Sequence, residues 1–457
     1  MRAAELTGPG GAGASGRAGL GLIAAALVAA GGIAGIEYLR GPPPVPLEVP
    51  RLDPAALTPG HGPASFPDAL AAADAALADK RALLALAPSE WLRLEGVGRA
   101  LLARGRLTAS AEDLHEANRV LAAALEAAPW PAGPVLSRAG AALMVHDLAA
   151  AEQALARFDA AVARPSALEA EEARGMRCEI AFERGELSRA SNLCGGEGGL
   201  GLALRRANMA LAGGDAAGAA RIVEAVLEQP GHSPAQLSTL MIQRAAIALA
   251  NGDWVASGQW ARAADRAFPG YWLAEAFVAQ QLALEDKPRE AEAVYRGIAE
   301  RTDNPDVWGA LVGIASERGD KAATRGYLAK ARAAWERRVA LLPETYAGHY
   351  AEHLAQTGAI DRALAISGAD YARRPYPPVI TGYAIVLSRA GRQRNVLAVV
   401  ERGETVGFRS PTMLMFKAGA LSALGRGREA EEARKAAVAM NPKVEHPNQA
   451  YVHFRQD

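Results

Sequence analysis

Two short strings in this 457-residue chain carry residue types that do chemistry. His349-Tyr350-Ala351-Glu352-His353 places two imidazoles at i and i+4 with a carboxylate between them. On a helix those imidazoles share one face, the spacing that holds a zinc ion while a nearby glutamate deprotonates its water. Gly196, Gly198 and Gly201 spell G-x-G-x-x-G, which brings backbone amides up to a pyrophosphate when a strand runs in and a helix runs out. No strand-like run precedes these glycines, so a loop between helices is the expectation. No Walker sequence, nucleophile elbow or pair of catalytic carboxylates is present, and the chain reads as a non-enzyme with no cofactor.

Composition says what kind of body must carry these residues. Half the residues are hydrophobic and only 22% are charged, enough apolar surface to bury a core. Lys+Arg and Asp+Glu are equal at 50 each, so no net field draws the chain to nucleic acid. Aromatics are 5% and alanine is abundant, which favours closely packed helices over sheets and points to an all-α protein.

The amino-terminal region reads as three segments. Residues 1–17 are a low-complexity, disordered tail. Residues 18–39 hold an uncharged run between Arg17 and Glu37, at the lower edge of the roughly 20 apolar residues that span a bilayer. Arg2 and Arg17 precede it, which would place everything beyond it across the membrane. The expected location is therefore a bacterial inner membrane, single-pass, with the rest of the chain in the periplasm. Cleavage of the same segment as a secretory signal, next to Gly32 and Ala34, is the alternative. Residues 40–67 are proline-rich and read as an extended linker.

From residue 68 to 442 the chain repeats itself. Turn signals stand at Gly105, His146, Gly185, Gly214, Gly252, Asp286, Gly319, Gly358, Gly391 and Gly425, spaced by a helix-turn-helix length. Small residues flank nearly every turn, seven before and five after: Ala139 with Ala151, Ala207 with Ala219, Ala245 with Ser257, Ala351 with Ala363 and Ala418 with Ala430 are examples, while Val396 replaces the small residue after Gly391. Antiparallel helices approach to about 8 Å only where the crossing residues are small. Residues 443–457 carry no period and form a carboxy-terminal tail that either docks back or hangs free.

The only cysteines, Cys178 and Cys194, face each other across one of these hairpins. In an oxidising compartment they would form a disulfide, and closing a loop of about 15 residues contributes around 3 kcal/mol. Otherwise they are reduced, buried small residues.

The turns NGDW at 251–254, RGD at 318–320 and GGD at 213–215, with Pro230, Pro269, Pro305 and Pro442 closing units, resemble the tetratricopeptide repeat family. The resemblance covers about residues 90–442 and implies a right-handed superhelical solenoid whose first helices line a concave groove. Groove positions in that numbering are Asn208, Leu211, Gln243, Phe277, Gln280, Glu317, His349, Glu352, Arg389, Met415 and Phe416. Ala351 is then the crossing residue of its hairpin, so the repeat accounts for the histidine string without a metal. The lysines with which some members clamp a terminal carboxylate are missing. The implied role is a membrane-anchored scaffold holding protein or peptide partners, with no small-molecule substrate. A regulatory or accessory subunit of an envelope enzyme or secretion system is the alternative.

Overall fold

In the computed structural model the turns between paired helices close by one device. Gly185, Gly214, Gly252, Gly319, Gly358, Gly391 and Gly425 all take positive φ, and His146 and Asp286 adopt the same left-handed conformation without being glycine. That conformation ends the first helix and frees the following amide to reach back over the last turn: Glu186 N donates to Ala181 O at 2.9 Å and Asp320 N to Ala315 O at 2.9 Å. Where Asp follows Gly it starts the next helix. Asp215 accepts from Gly218 N at 2.7 Å, Asp253 from Ala256 N at 3.0 Å and Asp320 from Ala323 N at 3.0 Å. The Gly-Asp pair thus ends one helix and caps the other.

The structure describes residues 52–454 apart from 162 and 197, and its helices lie in one unit, Asp53–Asp457. A leading helix, Phe66–Leu86, is capped by Ser65, whose side chain accepts from Asp68 N in its first turn. Ten hairpins follow among the described residues: Trp91–Thr108 with Ala111–Ala127, Val135–Met144 with Leu148–Asp159, Ala167–Glu183 with Leu187–Cys194, Leu200–Ala212 with Ala216–Leu227, and Pro234–Ala250 with Trp254–Ala267. Then come Trp272–Leu284 with Pro288–Thr302, Pro305–Glu317 with Lys321–Leu341, Pro343–Gln356 with Ile360–Arg373, Pro377–Arg389 with Gln393–Thr405, and Pro411–Ala423 with Gly427–Met440. The fold is an all-α, right-handed superhelical solenoid of tetratricopeptide-like repeats.

The first turn is not at Gly105. That glycine is buried inside its helix, where an added Cβ would meet Leu114 at 2.9 Å, and the chain reverses at Ala109 instead. Glycine there serves close packing, which sequence alone cannot separate from a turn.

At the crossings Ala139, Ala151, Ala190, Ala219, Ala245, Ala279, Ala291, Ala351, Ala363 and Ala384 have no exposed surface. A Cβ on Gly98 would fall 2.5 Å from Leu121, so the first crossing has room only for hydrogen. Thr324, half-buried, is the exception, and its hydroxyl donates to Asp320 O at 2.7 Å.

Successive turns of this superhelix touch. Thr345 Oγ1 donates to Val145 O at 3.0 Å across 200 residues, and Asn441 Nδ2 to Leu249 O at 3.5 Å across 192. Arg409 N donates to Ala212 O at 2.8 Å. In each case the end of a late hairpin, or the start of the next, meets the end of the first helix of an earlier hairpin. Pro375 O lies 2.9 Å from where Gly185 would carry a Cβ, and Met440 3.0 Å from the same point on Gly214. Near the start, Gly60 N donates to His232 O at 2.6 Å, and Phe66 stacks on Tyr271 at 6.0 Å.

The expectation of a single-pass inner-membrane protein is corrected here. Among the described residues no helix is long and apolar enough to cross a membrane. The 18–39 segment on which that reading rested lies outside the described residues.

Candidate functional site

The first helix of each hairpin faces inward because its small crossing residue must meet the second helix, which turns the residues two before and one or five after it towards the superhelix axis. Stacking of turns shapes part of this inner face into a half-open cavity of about 810 Å³. Six of the groove positions line it: Asn208, Leu211, His349, Glu352, Arg389 and Phe416. Asn208 and Leu211 come from one turn and the other four from the next, so residues far apart in sequence share one space. The wall is mixed, with apolar Phe182, Ile385 and Phe416 beside Glu352, Ser388 and Arg389. Thr381 Oγ1, on a residue 1% exposed, lines it without a hydrogen-bond partner.

Phe182, Tyr376, Thr381 and Gly382 belong to this wall and were not among the groove positions. Phe182 and Tyr376 meet edge to face at 5.8 Å across the contact between turns. No repeat register gives that contact. Gly382 carries the one legible hint, a glycine inside a helix: a Cβ there would come 2.9 Å from Glu352 Oε1, so its absence leaves the carboxylate space.

A charged cluster sits behind the cavity. Arg374 donates to Asp370 through Nε at 3.0 Å and Nη2 at 3.1 Å, and through Nη1 to Glu183 Oε2 at 3.3 Å. His146 Nδ1 stands 2.9 Å from the same Glu183 oxygen. Burial, followed by the Glu183 charge, pushes the Tyr376 hydroxyl far above its ordinary value and keeps it protonated.

Phe277 and Gln280 are covered, 6% and 2% exposed, by the carboxy-terminal segment. Glu317 is exposed near Tyr451, whose hydroxyl is shifted up by burial and then by the Glu317 charge. Gln243 is half-buried with its Oε1 unpartnered, and Met415 is half-buried on the Pro411–Ala423 helix.

The histidine string is helical, within Pro343–Gln356, but its residues diverge in setting. His349 stacks on Trp335 with rings 5.6 Å apart and nearly parallel, while His353 is 5% exposed and burial pulls its pKa down. Among the described residues no three His, Cys, Asp or Glu are grouped to hold a metal. Gly196 and Gly198 lie in the loop before the Leu200–Ala212 helix, where Gly199 N donates to Glu171 Oε1 at 2.7 Å. Cys178 and Cys194 are joined as a disulfide with Cα atoms 5.6 Å apart.

No protein-family model and no curated protein matches the sequence. Solved structures with a similar fold include the Cut9–Hcn1 hetero-tetramer of APC/C, at TM-score 0.43 and 13% identity, covering 85% of this chain and 89% of that one. A Rap protein complexed with competence and sporulation factor aligns at TM-score 0.41 and 12% identity over 68% of this chain and 97% of that one. Yeast Tom70 aligns at TM-score 0.35 and 15% identity over 83% and 91% of the two chains.

Proposed function

We propose that the chain is a helical-repeat scaffold that holds a peptide segment of a protein partner in the cavity between its superhelical turns. The observation that carries this reading is the wall itself. Phe182, Leu211 and Phe416 offer apolar contact, while Asn208, Glu352, Arg389 and the unpartnered Thr381 hydroxyl offer hydrogen bonds to a main chain or to polar side chains. Such a mixture suits an extended or helical peptide held partly by burial and oriented by a few polar groups.

A photo-crosslinking residue at position 389, compared with one at the outward-facing position 325, tests it in the full-length protein. The expected result is a discrete protein adduct from 389 that is lost on Glu352→Lys and absent from 325. Equal labelling from the two positions, or none from 389, would overturn the reading.

A further inference from the structure

The segment after the last hairpin folds back along the inner face, and its contacts have the form of a bound peptide. Pro447–Tyr451 makes a short 3₁₀ turn, after which the chain extends through Val452, His453 and Phe454. Gln280, on the Trp272–Leu284 helix, grips this stretch by its main chain. Its Oε1 accepts from His453 N and from Phe454 N, each at 2.7 Å, and its Nε2 donates to Phe454 O at 2.9 Å. A side-chain amide has one such acceptor and one such donor end, so Gln280 is satisfied by backbone alone and reads no side chain.

Side-chain selectivity comes from the surroundings. Phe454 packs between Phe277, at 6.2 Å, and Tyr295, stacked at 6.1 Å, and Tyr295 is 1% exposed with its hydroxyl unpartnered. Val452 joins Leu249, Trp254 and Leu284 in a small apolar cluster. Gly313 makes room for the intervening residue, since a Cβ there would fall 2.7 Å from the His453 ring. Upstream, Asn448 Nδ2 anchors the turn on Asp286 Oδ1 at 2.9 Å and on Leu284 O at 3.3 Å.

We infer that the groove centred on Gln280 is a peptide subsite that recognises an extended main chain with an aromatic side chain in the Phe277–Tyr295 slot, and that residues 452–454 are its tethered ligand. The partner it fits in trans is an extended segment of the same chemistry: two consecutive amide donors, a carbonyl, and a phenylalanine-like side chain two residues after a β-branched one. The inference rests on the proposed scaffold function and adds its regulation, because Val452 and His453 also form part of the cavity wall. A tethered segment faces its own site at an effective concentration in the millimolar range, so a free peptide binds only when the tether is weakened or outcompeted.

The probe is a fluorescein-labelled peptide of residues 446–457, added to the full-length protein. Phe454→Ala in the protein is expected to tighten probe binding by about tenfold or more over wild type, because the docked segment loses its anchor. Adding Gln280→Ala to that variant, or replacing the probe's own phenylalanine by alanine, should abolish binding. Equal binding to wild type and Phe454→Ala, or binding that survives Gln280→Ala, would overturn the inference.

Amide hydrogen exchange on the unaltered protein gives a second measurement that no folding defect can obscure. The His453 and Phe454 amides should exchange about tenfold or more slowly relative to an unstructured chain, and unprotected exchange there would equally overturn it. If the probe results fail while the position-389 adduct persists, the tethered ligand is wrong and the scaffold function stands. If the adduct is lost while probe binding holds, the tethered ligand stands and the scaffold function is wrong.

Discussion

Arg374 and Glu183 lie 191 residues apart in sequence, yet their side chains meet at 3.3 Å, each residue 3% exposed. Asp370 shares the guanidinium, and the trio locks the loop after the eighth hairpin onto the turn of the third. In an open solenoid each repeat touches only its neighbours and stability is a sum of nearest-neighbour terms. Contacts spaced by a full superhelical turn add coupling that such a sum omits.

Arg374→Ala takes the shared guanidinium from two buried carboxylates, leaving Asp370 only Arg373 Nη2 at 3.1 Å and Glu183 only His146 at 2.9 Å, and should cost up to about 3–5 kcal/mol in urea unfolding. The triple replacement Glu183→Leu, Asp370→Leu, Arg374→Met removes all three charges and should recover most of that loss. An Arg374→Ala protein as stable as wild type would mean that the turns are not clamped there.

Gly185 and Gly319 hold the same left-handed conformation at equivalent turns, with φ of 73° and 74°. Only Gly185 also has a neighbour, Pro375 O at 2.9 Å from its absent Cβ, whereas Gly319 opens to empty space. Gly319→Ala should therefore cost roughly 1–2 kcal/mol for conformation alone. Gly185→Ala adds displacement of the docked loop and should be measurably worse in the same thermal melt. Equal losses would show that the loop yields freely.

Ala245 has no exposed surface at its helix crossing, while Ala322 is exposed on the outer side of the superhelix. Leucine at 245 overpacks a full site and should destabilise by about 1–3 kcal/mol, while leucine at 322 should be close to neutral. Calorimetry on the two variants checks the contrast.

Burial, and after it the Arg332 charge, lowers the His353 pKa below its ordinary 6.5. The folded chain then binds this proton less readily than the unfolded one, so unfolding becomes easier as protons are supplied. The contribution is complete above the unfolded value and is lost as pH falls from 6.5 towards the depressed folded value. Urea midpoints taken from about pH 7 down to about pH 5 should drop for wild type and flatten for His353→Leu.

The sequence by itself determined the repeat and its crossings, because these are local physics. A left-handed residue must end a helix that turns back, and a small one must stand where two helices meet. Nine of the ten turn positions, from His146 to Gly425, therefore appear at the residues that the spacing marks, and Gly105 misleads because glycine also serves tight packing. Inward-facing residues such as Glu352 and Arg389 follow from the same register.

What only the tertiary structure decided is how far the superhelix closes on itself. That pitch accumulates from small rotations at every hairpin, and no single residue encodes it. It brings Phe182 to Tyr376, Glu183 to Arg374 and the chain's own Phe454 to Gln280. An open groove in the linear reading is thereby a partly covered cavity with one of its subsites already filled.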